Sequence, residues 1–165
     1  MSRAFVKEDG PEPDENPPEK PVSPHPNYVT PRGAKLLQDE ESRIAAELAT
    51  LAGAQDDPGR RRRKRALERD LRYVRARLET AILVDPENRP KDEIRFGARA
   101  TLRGEDGETR ILRIVGEDEA EGGGELAPWS GPFVSALFGL KAGQTFDWEI
   151  GGSVERWTVI SVDYR

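Results

Sequence analysis

The sequence predicts an α+β protein: an N-terminal antiparallel coiled-coil hairpin of two α-helices, then an antiparallel sheet with one short helix. Apolar residues recur at helical spacing between residues 30 and 83. Alternating segments separated by glycine turns follow in residues 94–165. Hydrophobic and charged residues each make up 35% of the chain. This composition is too polar for one core spread over the whole length, so we expect the hairpin to project into solvent.

Composition also limits the chemistry. The 165 residues include no cysteine, which excludes disulfides and thiolate metal sites. The single histidine, His25, lies among prolines, which argues against a histidine metal site or catalytic triad. No apolar run approaches the roughly 18 to 20 residues of a membrane span, and residues 1–5 lack the apolar core of a signal peptide. We therefore expect a soluble, cytoplasmic, monomeric protein that makes no membrane contact.

The net charge of −5 is unevenly distributed. Residues 30–83 contain 13 basic and 9 acidic groups, a net charge of +4, and the segments on both sides are acidic. Strong binding to free duplex DNA needs a continuous basic surface. This charge pattern argues against such binding and permits a local nucleic-acid contact by the middle segment.

Residues 1–29 hold seven of the thirteen prolines and many acids. Such a segment buries too little apolar surface to offset its ordering entropy. The sequence therefore predicts a disordered, solubilising tail over residues 1–29.

The coiled-coil hairpin is predicted over residues 30–84. Thr30 is a candidate helix cap, and Pro31 suits the first helical position. The turn residues 53–59 interrupt the apolar pattern, so the tip lies near 53–60. Arms of about 20 residues would be roughly 30 Å long. The predicted seam residues are Leu37, Ile44, Leu48 and Leu51 on the first helix, and Leu67, Leu71, Val74, Leu78 and Ala81 on the second.

After a linker at 85–93, residues 94–165 form the predicted sheet domain. Asp106-Gly107 is a strong hairpin signal between two alternating segments. Residues 131–139 are expected to form a short helix, and strands at 145–150 and 155–164 meet at Gly151-Gly152. All three tryptophans lie in this domain, so the main core is expected here.

Several segments resemble the GreA/GreB family of bacterial transcription elongation factors. Residues 1–9 look like a GreB-type start, and Asn27-Tyr28-Val29-Thr30-Pro31-Arg32-Gly33 looks like the family's entry to the first helix. Arg113-Ile114-Val115-Gly116-Glu117-Asp118-Glu119-Ala120 and residues 132–143 are similar to its C-terminal domain. Together with 77–86 and 94–98, these matches extend from Asn27 to Tyr164, and the chain is identified as a member.

The resemblance implies an FKBP-like C-terminal domain that docks at the rim of the RNA polymerase secondary channel, with the coiled coil entering that channel. It implies docking through Ser130, Gly131 and Pro132. In cleavage-active members, two tip acids help hold a second magnesium ion of the polymerase, which then cuts the nascent RNA 3′ end. The factor has no cofactor of its own. Such a magnesium site needs only one or two protein carboxylates.

The tip departs from the family pattern. The string Gly-Asp-x-x-Glu-Asn is absent, and the first arm is shorter than usual in the family. Asp56 and Asp57 are the remaining candidates for a metal-directed role. Their structural interpretation is a turn and a helix cap, since Asp57-Pro58-Gly59 is common turn chemistry.

A basic run follows the tip acids and comprises Arg60, Arg61, Arg62, Arg63, Lys64 and Arg65. Six cations at a helix start conflict with the helix dipole and with one another. This cost indicates an anionic partner, either RNA or carboxylates in the polymerase channel. The structural alternative is a solvated charged surface.

Three functions remain in competition. The first is a factor that stimulates cleavage of backtracked transcripts, and the second is a non-cleaving inhibitor or regulator that uses the same channel. The third, a prolyl isomerase, follows only from the FKBP-like fold and is disfavoured because fold does not carry function. In the first two, any catalysis belongs to the polymerase.

Overall fold

A computed structural model describes residues 17–52, 57–85 and 91–164. Two long helices, α1 (Pro31–Ala52) and α2 (Pro58–Glu79), lie between two short strands, β1 (Tyr28–Val29) and β2 (Ile82–Leu83). The sheet region follows with β3 (Arg99–Gly104), β4 (Thr109–Val115), α3 (Glu117–Ala120), β5 (Leu126–Pro128), α4 (Pro132–Leu137), β6 (Thr145–Ile150) and β7 (Ser153–Asp163). The predicted α+β class is confirmed.

The two long helices pack against each other along the predicted seam. Leu37 and Ile44 of α1 are buried against Leu67 and Val74 of α2. Burying each such side chain contributes roughly 1.5 to 3 kcal/mol. The remaining seam residues pack at the edge of this cluster and are partly buried: Leu48, Leu51, Leu71, Leu78 and Ala81. The seam gives each helix one apolar partner, so the hairpin is held together without a larger core.

Both helix starts have the predicted caps. Thr30 Oγ1 accepts a hydrogen bond from the Gly33 backbone N–H at 2.9 Å, and Asp57 caps α2. A side-chain cap satisfies one of the amide groups that a helix start leaves without an intrahelical partner. The caps therefore set where each arm begins.

The chain enters and leaves the hairpin through a parallel pair of short strands, β1 and β2. The Ile82 amide donates to the Asn27 carbonyl at 2.8 Å, and the Val84 amide donates to the Val29 carbonyl at 2.9 Å. The prediction of disorder through residue 29 is therefore wrong for its last residues, and the preceding residues 17–26 also make side-chain contacts with α2 and α3. Val29 is 3% exposed, and its burial and the backbone pairing offset the ordering entropy that favoured disorder.

The five-stranded sheet has the order β5-β4-β3-β7-β6. The predicted turns at Gly107 and at Gly151-Gly152 are present, and all three glycines have positive φ, a region that favours glycine. The sheet is mixed rather than purely antiparallel, because β5 pairs with β4 in parallel. The connection through α3 brings the chain back beside β4 in the same direction.

The main core lies between this sheet and α4, as predicted. Trp157 is buried in it, and Trp129 and Trp148 pack at its edge. Most of the predicted linker lies outside the described residues, but its last residue, Glu93, forms a β-bridge with Lys141. The fully buried core residues include Ile94, Ala98, Ala100, Leu102, Ile114, Leu137 and Val159.

Candidate functional site

The hairpin tip is described from Asp57 onward. Asp57 has an extended backbone (φ −136°, ψ 159°), and its Oδ1 accepts a hydrogen bond from the Arg60 backbone N–H at 3.0 Å. Pro58 follows at the start of the helix, where its missing N–H costs no hydrogen bond. This geometry supports the turn-and-cap interpretation of Asp57, because the bond turns the carboxylate toward its own helix. Asp56, the other candidate acid, lies outside the described residues.

The basic run Arg60–Arg65 forms the start of α2 and gives the tip a strong positive charge. Arg63 crosses the hairpin, with Nη2 2.6 Å from Oε1 of Glu47 on α1, and Lys64 pairs with Glu68 at 3.8 Å. The first turn of α2 contains no acid, so the cations crowd the positive end of the helix dipole. The structure therefore places the six predicted contact residues together, beside Asp57.

The predicted docking residues Ser130, Gly131 and Pro132 form one turn before α4. Ser130 Oγ donates to Oε1 of Glu117 at 2.6 Å. The Gly131 amide donates to the Pro128 carbonyl at 3.0 Å, and a Cβ at Gly131 would lie only 3.2 Å from that oxygen. Pro132 is exposed at the first position of α4. The turn is tightly packed, and the serine hydroxyl is directed toward Glu117.

An aromatic cluster packs behind this turn. The Phe133 ring lies 5.3 Å from the Trp148 ring and 6.1 Å from the Trp157 ring, both in edge-on geometry. The Arg110 guanidinium lies 4.7 Å from the Trp157 ring centroid and 5.2 Å from that of Phe133, a cation–π arrangement. Phe133 is half-buried, whereas Phe138 at the end of α4 is 37% exposed. The cluster stabilises α4 on the sheet and fixes the turn.

The tip and the docking turn lie at opposite ends of the hairpin. The 22 residues of α2 extend about 33 Å at 1.5 Å per residue. Near its C-terminal end, α2 contacts α3, whose Glu117 accepts a hydrogen bond from Ser130, a predicted docking residue. The predicted tip and docking residues therefore do not form one local site. The position of the tip relative to the docking residues depends on how the hairpin base is held.

The hairpin base is held by a buried ionic contact that sequence reasoning did not identify. Arg77 of α2 has 2% of its side chain exposed, and its Nε donates to Oδ2 of Asp118 at 2.7 Å. Tyr73 donates its hydroxyl to the other oxygen of Asp118 at 2.6 Å. Burial raises the pKa of Tyr73, and the bond to Asp118 raises it further, so the phenol keeps the proton that it donates. Asn27 adds a bond of 2.6 Å from Nδ2 to the Arg77 carbonyl.

Two further contacts of the same region fix α1. Oε2 of Glu119, a residue that is 5% exposed, accepts a hydrogen bond from Thr30 Oγ1 at 2.5 Å. Since Thr30 also caps α1, the start of this helix is bound directly to α3. Gly116, just before α3, lies so close to β1 that a Cβ there would be 2.6 Å from the Tyr28 carbonyl oxygen. Both arms of the hairpin are therefore anchored to the short segment Gly116–Glu119.

Glu117 accepts hydrogen bonds from three side chains at this anchor: Ser130, Ser23 and His25. Burial tends to raise the pKa of Glu117. The three hydrogen bonds and the charge of Arg77 outweigh burial and hold the pKa below its usual value. Glu117 is therefore ionised at neutral pH and acts as a shared acceptor.

A signal for this anchor is present in the sequence. Three consecutive acids, Glu117, Asp118 and Glu119, follow the buried end of β4 after the single residue Gly116. Carboxylates so close to a core need cationic or hydrogen-bonding partners. Arg77, the cation that pairs with Glu117 and Asp118, is about 40 residues away in the sequence and lies beside the apolar seam, so local spacing did not reveal the contact.

Within the three described ranges, no group of three or more His, Cys, Asp or Glu side chains is arranged to hold a metal ion. Among the same residues, no helix has both the length and the apolar character that crossing a membrane requires.

Comparison with known proteins gives consistent matches. Residues 89–164 match the family model described as "Transcription elongation factor, GreA/GreB, C-term". The chain is 29% identical over 153 residues to transcription elongation factor GreB of Neisseria meningitidis serogroup B, covering 84% of this chain and 94% of the relative. It is 31% identical over 127 residues to GreB of Haemophilus influenzae, covering 68% and 80%. A solved GreA/GreB structure from Nitrosomonas europaea shares 26% identity, with 84% and 99% coverage and a TM-score of 0.42.

Proposed function

Because the chain belongs to the GreA/GreB family of transcription elongation factors, we propose that it acts on RNA polymerase during elongation, in the bacterial cytoplasm. The protein is an accessory factor rather than an enzyme, and any RNA cleavage is carried out by the polymerase. It acts as a monomer that places its hairpin in the secondary channel.

The observation that carries this proposal is the geometry of the hairpin. The two 22-residue helices bury their apolar residues against each other. The described contacts of α1 and α2 with the sheet region involve residues near the base: Thr30, Arg32, Gly33, Tyr73 and Arg77. Such a rod could enter a pore tip first while the sheet domain stays outside.

The sheet domain supplies the docking surface in this proposal. Ser130, Gly131 and Pro132 form a rigid turn with Pro132 exposed. A preformed turn loses little entropy on binding, which favours its use as a contact. The basic run Arg60–Arg65 would then meet anions inside the channel, either polymerase carboxylates or the nascent RNA 3′ end.

One observation favours a second, non-cleaving mode of action. Asp57 is engaged as the cap of α2, so one oxygen of its carboxylate is already used by the helix. With Asp57 in this role, metal-directed chemistry would depend on Asp56. A non-cleaving factor would regulate elongation by occupying the channel with its basic tip.

A cleavage assay on stalled, backtracked elongation complexes separates the two modes. The variants are Asp56→Ala, Asp57→Ala and Asp57→Asn. Asparagine is the matched control because it keeps the cap oxygen and removes the charge. If the protein stimulates cleavage through Asp56 alone, 3′ fragments are lost in Asp56→Ala and retained in Asp57→Asn.

The remaining outcomes also distinguish cleavage stimulation from occupation of the channel. Absence of 3′ fragments with the unmodified protein would exclude cleavage stimulation and support the channel-occupying mode, provided that the elongation rate changes. Loss of fragments in Asp57→Asn would show that Asp57 acts through its charge and would contradict its role as a cap alone. Unchanged elongation and no binding to polymerase would contradict the whole proposal.

A further inference from the structure

Residues 17–26 precede β1 and contact the base of the hairpin. On α2, the Glu19 carboxylate pairs with the Arg72 guanidinium. Lys20 Nζ lies 3.2 Å from Oδ1 of Asp70 and 5.5 Å from the centroid of the Tyr73 ring. Two successive residues of opposite charge therefore meet two complementary charges on one helix. A shift by one residue would bring like charges together, so the contact favours one register.

The same segment also contacts the sheet region. Ser23 Oγ donates to Oε1 of Glu117 at 3.0 Å, and His25 Nδ1 lies 3.0 Å from the same oxygen. The His25 ring also packs edge-on against Trp129, with the centroids 5.9 Å apart. The segment thus spans two structural units, because Glu19 and Lys20 bind the hairpin, and Ser23 and His25 bind the sheet region.

We propose that residues 17–26 form an intramolecular clasp that fixes the direction of the hairpin relative to the sheet domain. Five prolines within it restrict the free segment and lower the entropy lost when it docks: Pro17, Pro18, Pro21, Pro24 and Pro26. The clasp reaches the docking turn as well, because Ser130 donates to the same Glu117 oxygen as Ser23. This role lies beyond the action on polymerase and does not depend on it.

The clasp is reversible and sensitive to salt. The Glu19 and Arg72 side chains are 64% and 59% exposed, and ion pairs this exposed are weak and screened by dissolved salt. Such a clasp opens when ionic strength rises or when a charged partner competes for α2. The hairpin then gains freedom of direction while its own seam stays intact.

The test uses the free, full-length protein and two pairs of spin labels. Because the chain contains no cysteine, labelled cysteines can be placed at will on exposed positions. A pair at Val22 and Glu79 reports whether the segment is docked, and a pair at Thr50 and Glu108 reports the direction of the hairpin. The variants are Glu19→Arg, Arg72→Glu and their combination, which restores the pair with its charges exchanged.

Each single variant should raise the ratio of released to docked clasp about threefold, the effect expected for one exposed ion pair, and the double variant should return it toward the original value. Both distance distributions should broaden in the single variants and narrow in the double variant. The substitutions Ser23→Ala/His25→Ala remove the contacts of the clasp with Glu117 and should have the same effect as the single variants.

Two results would overturn the proposal. If the Val22–Glu79 distribution is the same in all variants and in high salt, these contacts do not hold the segment. If that distribution broadens while the Thr50–Glu108 distribution does not, the segment docks without fixing the hairpin. Neither result involves polymerase, so failure of the clasp leaves the proposed function standing.

Discussion

The side chain of Arg77 is almost entirely removed from water, with 2% exposed, and Asp118 and Glu117 supply its counter-charges. Burying ions costs free energy that the pairing only partly offsets. Such a group therefore adds little stability compared with an apolar side chain of equal size. It does restrict the geometry, because a guanidinium satisfies these acids only when α2 meets α3 in one orientation.

Removal of this cation should strongly destabilise the folded protein. We expect Arg77→Ala to lower the free energy of unfolding by about 3 to 5 kcal/mol, because Asp118 and Glu117 are largely buried charges that would lose their shared cation. The matched control is Arg75→Ala on the same helix, where an exposed pair with Glu41 contributes about 0 to 1 kcal/mol. Urea denaturation followed by circular dichroism measures both. Equal effects of the two substitutions would contradict the anchoring role of Arg77.

At the scale of the elements, the two helices of the hairpin can be predicted from the sequence because the residues that define them are close together in the chain. The seam residues recur every three or four positions, and the caps Thr30 and Asp57 immediately precede their helices. The turn at Gly107 was equally local. These features are set by neighbours within one or two turns of the chain, and a single sequence contains that information.

The elements that were missed depend on distant partners. The strands β1 and β2 have two residues each, too short for any periodicity, and they form because the two ends of the hairpin meet. The parallel pairing of β5 depends on the return of the chain through α3. The positions of residues 130–132 before α4 and of the basic run at the start of α2 follow from local sequence, and their roles stay predictions, whereas the anchor at Glu117–Glu119 needs Arg77 and Thr30 from other elements.

The positive charge at the start of α2 should make the affinity for elongation complexes depend on the salt concentration. We expect Arg61→Gln/Arg62→Gln to weaken binding to elongation complexes roughly three- to tenfold at low ionic strength, with the difference shrinking as salt is added. Glutamine keeps the helix propensity high, and Arg63 stays in place to hold Glu47. The measurement is a titration of labelled protein at several salt concentrations.

The control for the basic run is Arg99→Gln/Arg103→Gln, which changes the net charge equally on the sheet domain. If both pairs of substitutions reduce affinity alike, the effect belongs to overall charge and not to the tip. If neither changes affinity at any salt concentration, the run is a solvated surface.

At the scale of the whole molecule, the hairpin is a rod that is joined to the sheet domain at its anchored base. The charged tip lies roughly 30 Å from the anchor by helix length, so a small change in direction at the base moves the tip several ångströms. The buried contact at Arg77 and the exposed clasp at Glu19 and Lys20 act on the same joint with different strengths. The contact at Arg77 sets the orientation of the hairpin on the sheet region, and the clasp limits motion about that orientation.

The central claim, that the hairpin enters polymerase tip first, can be tested directly by crosslinking. One variant carries a photoreactive group on Thr50→Cys near the tip, and the other carries it on Glu108→Cys of the sheet domain. Each variant is bound to an elongation complex and crosslinked, and the crosslinked polymerase peptides are identified by mass spectrometry. Entry of the hairpin tip first predicts that the Thr50 probe reacts with peptides lining the channel to the active centre and that the Glu108 probe does not. Crosslinks from Thr50 confined to the outer surface of polymerase, at unchanged affinity, would contradict it.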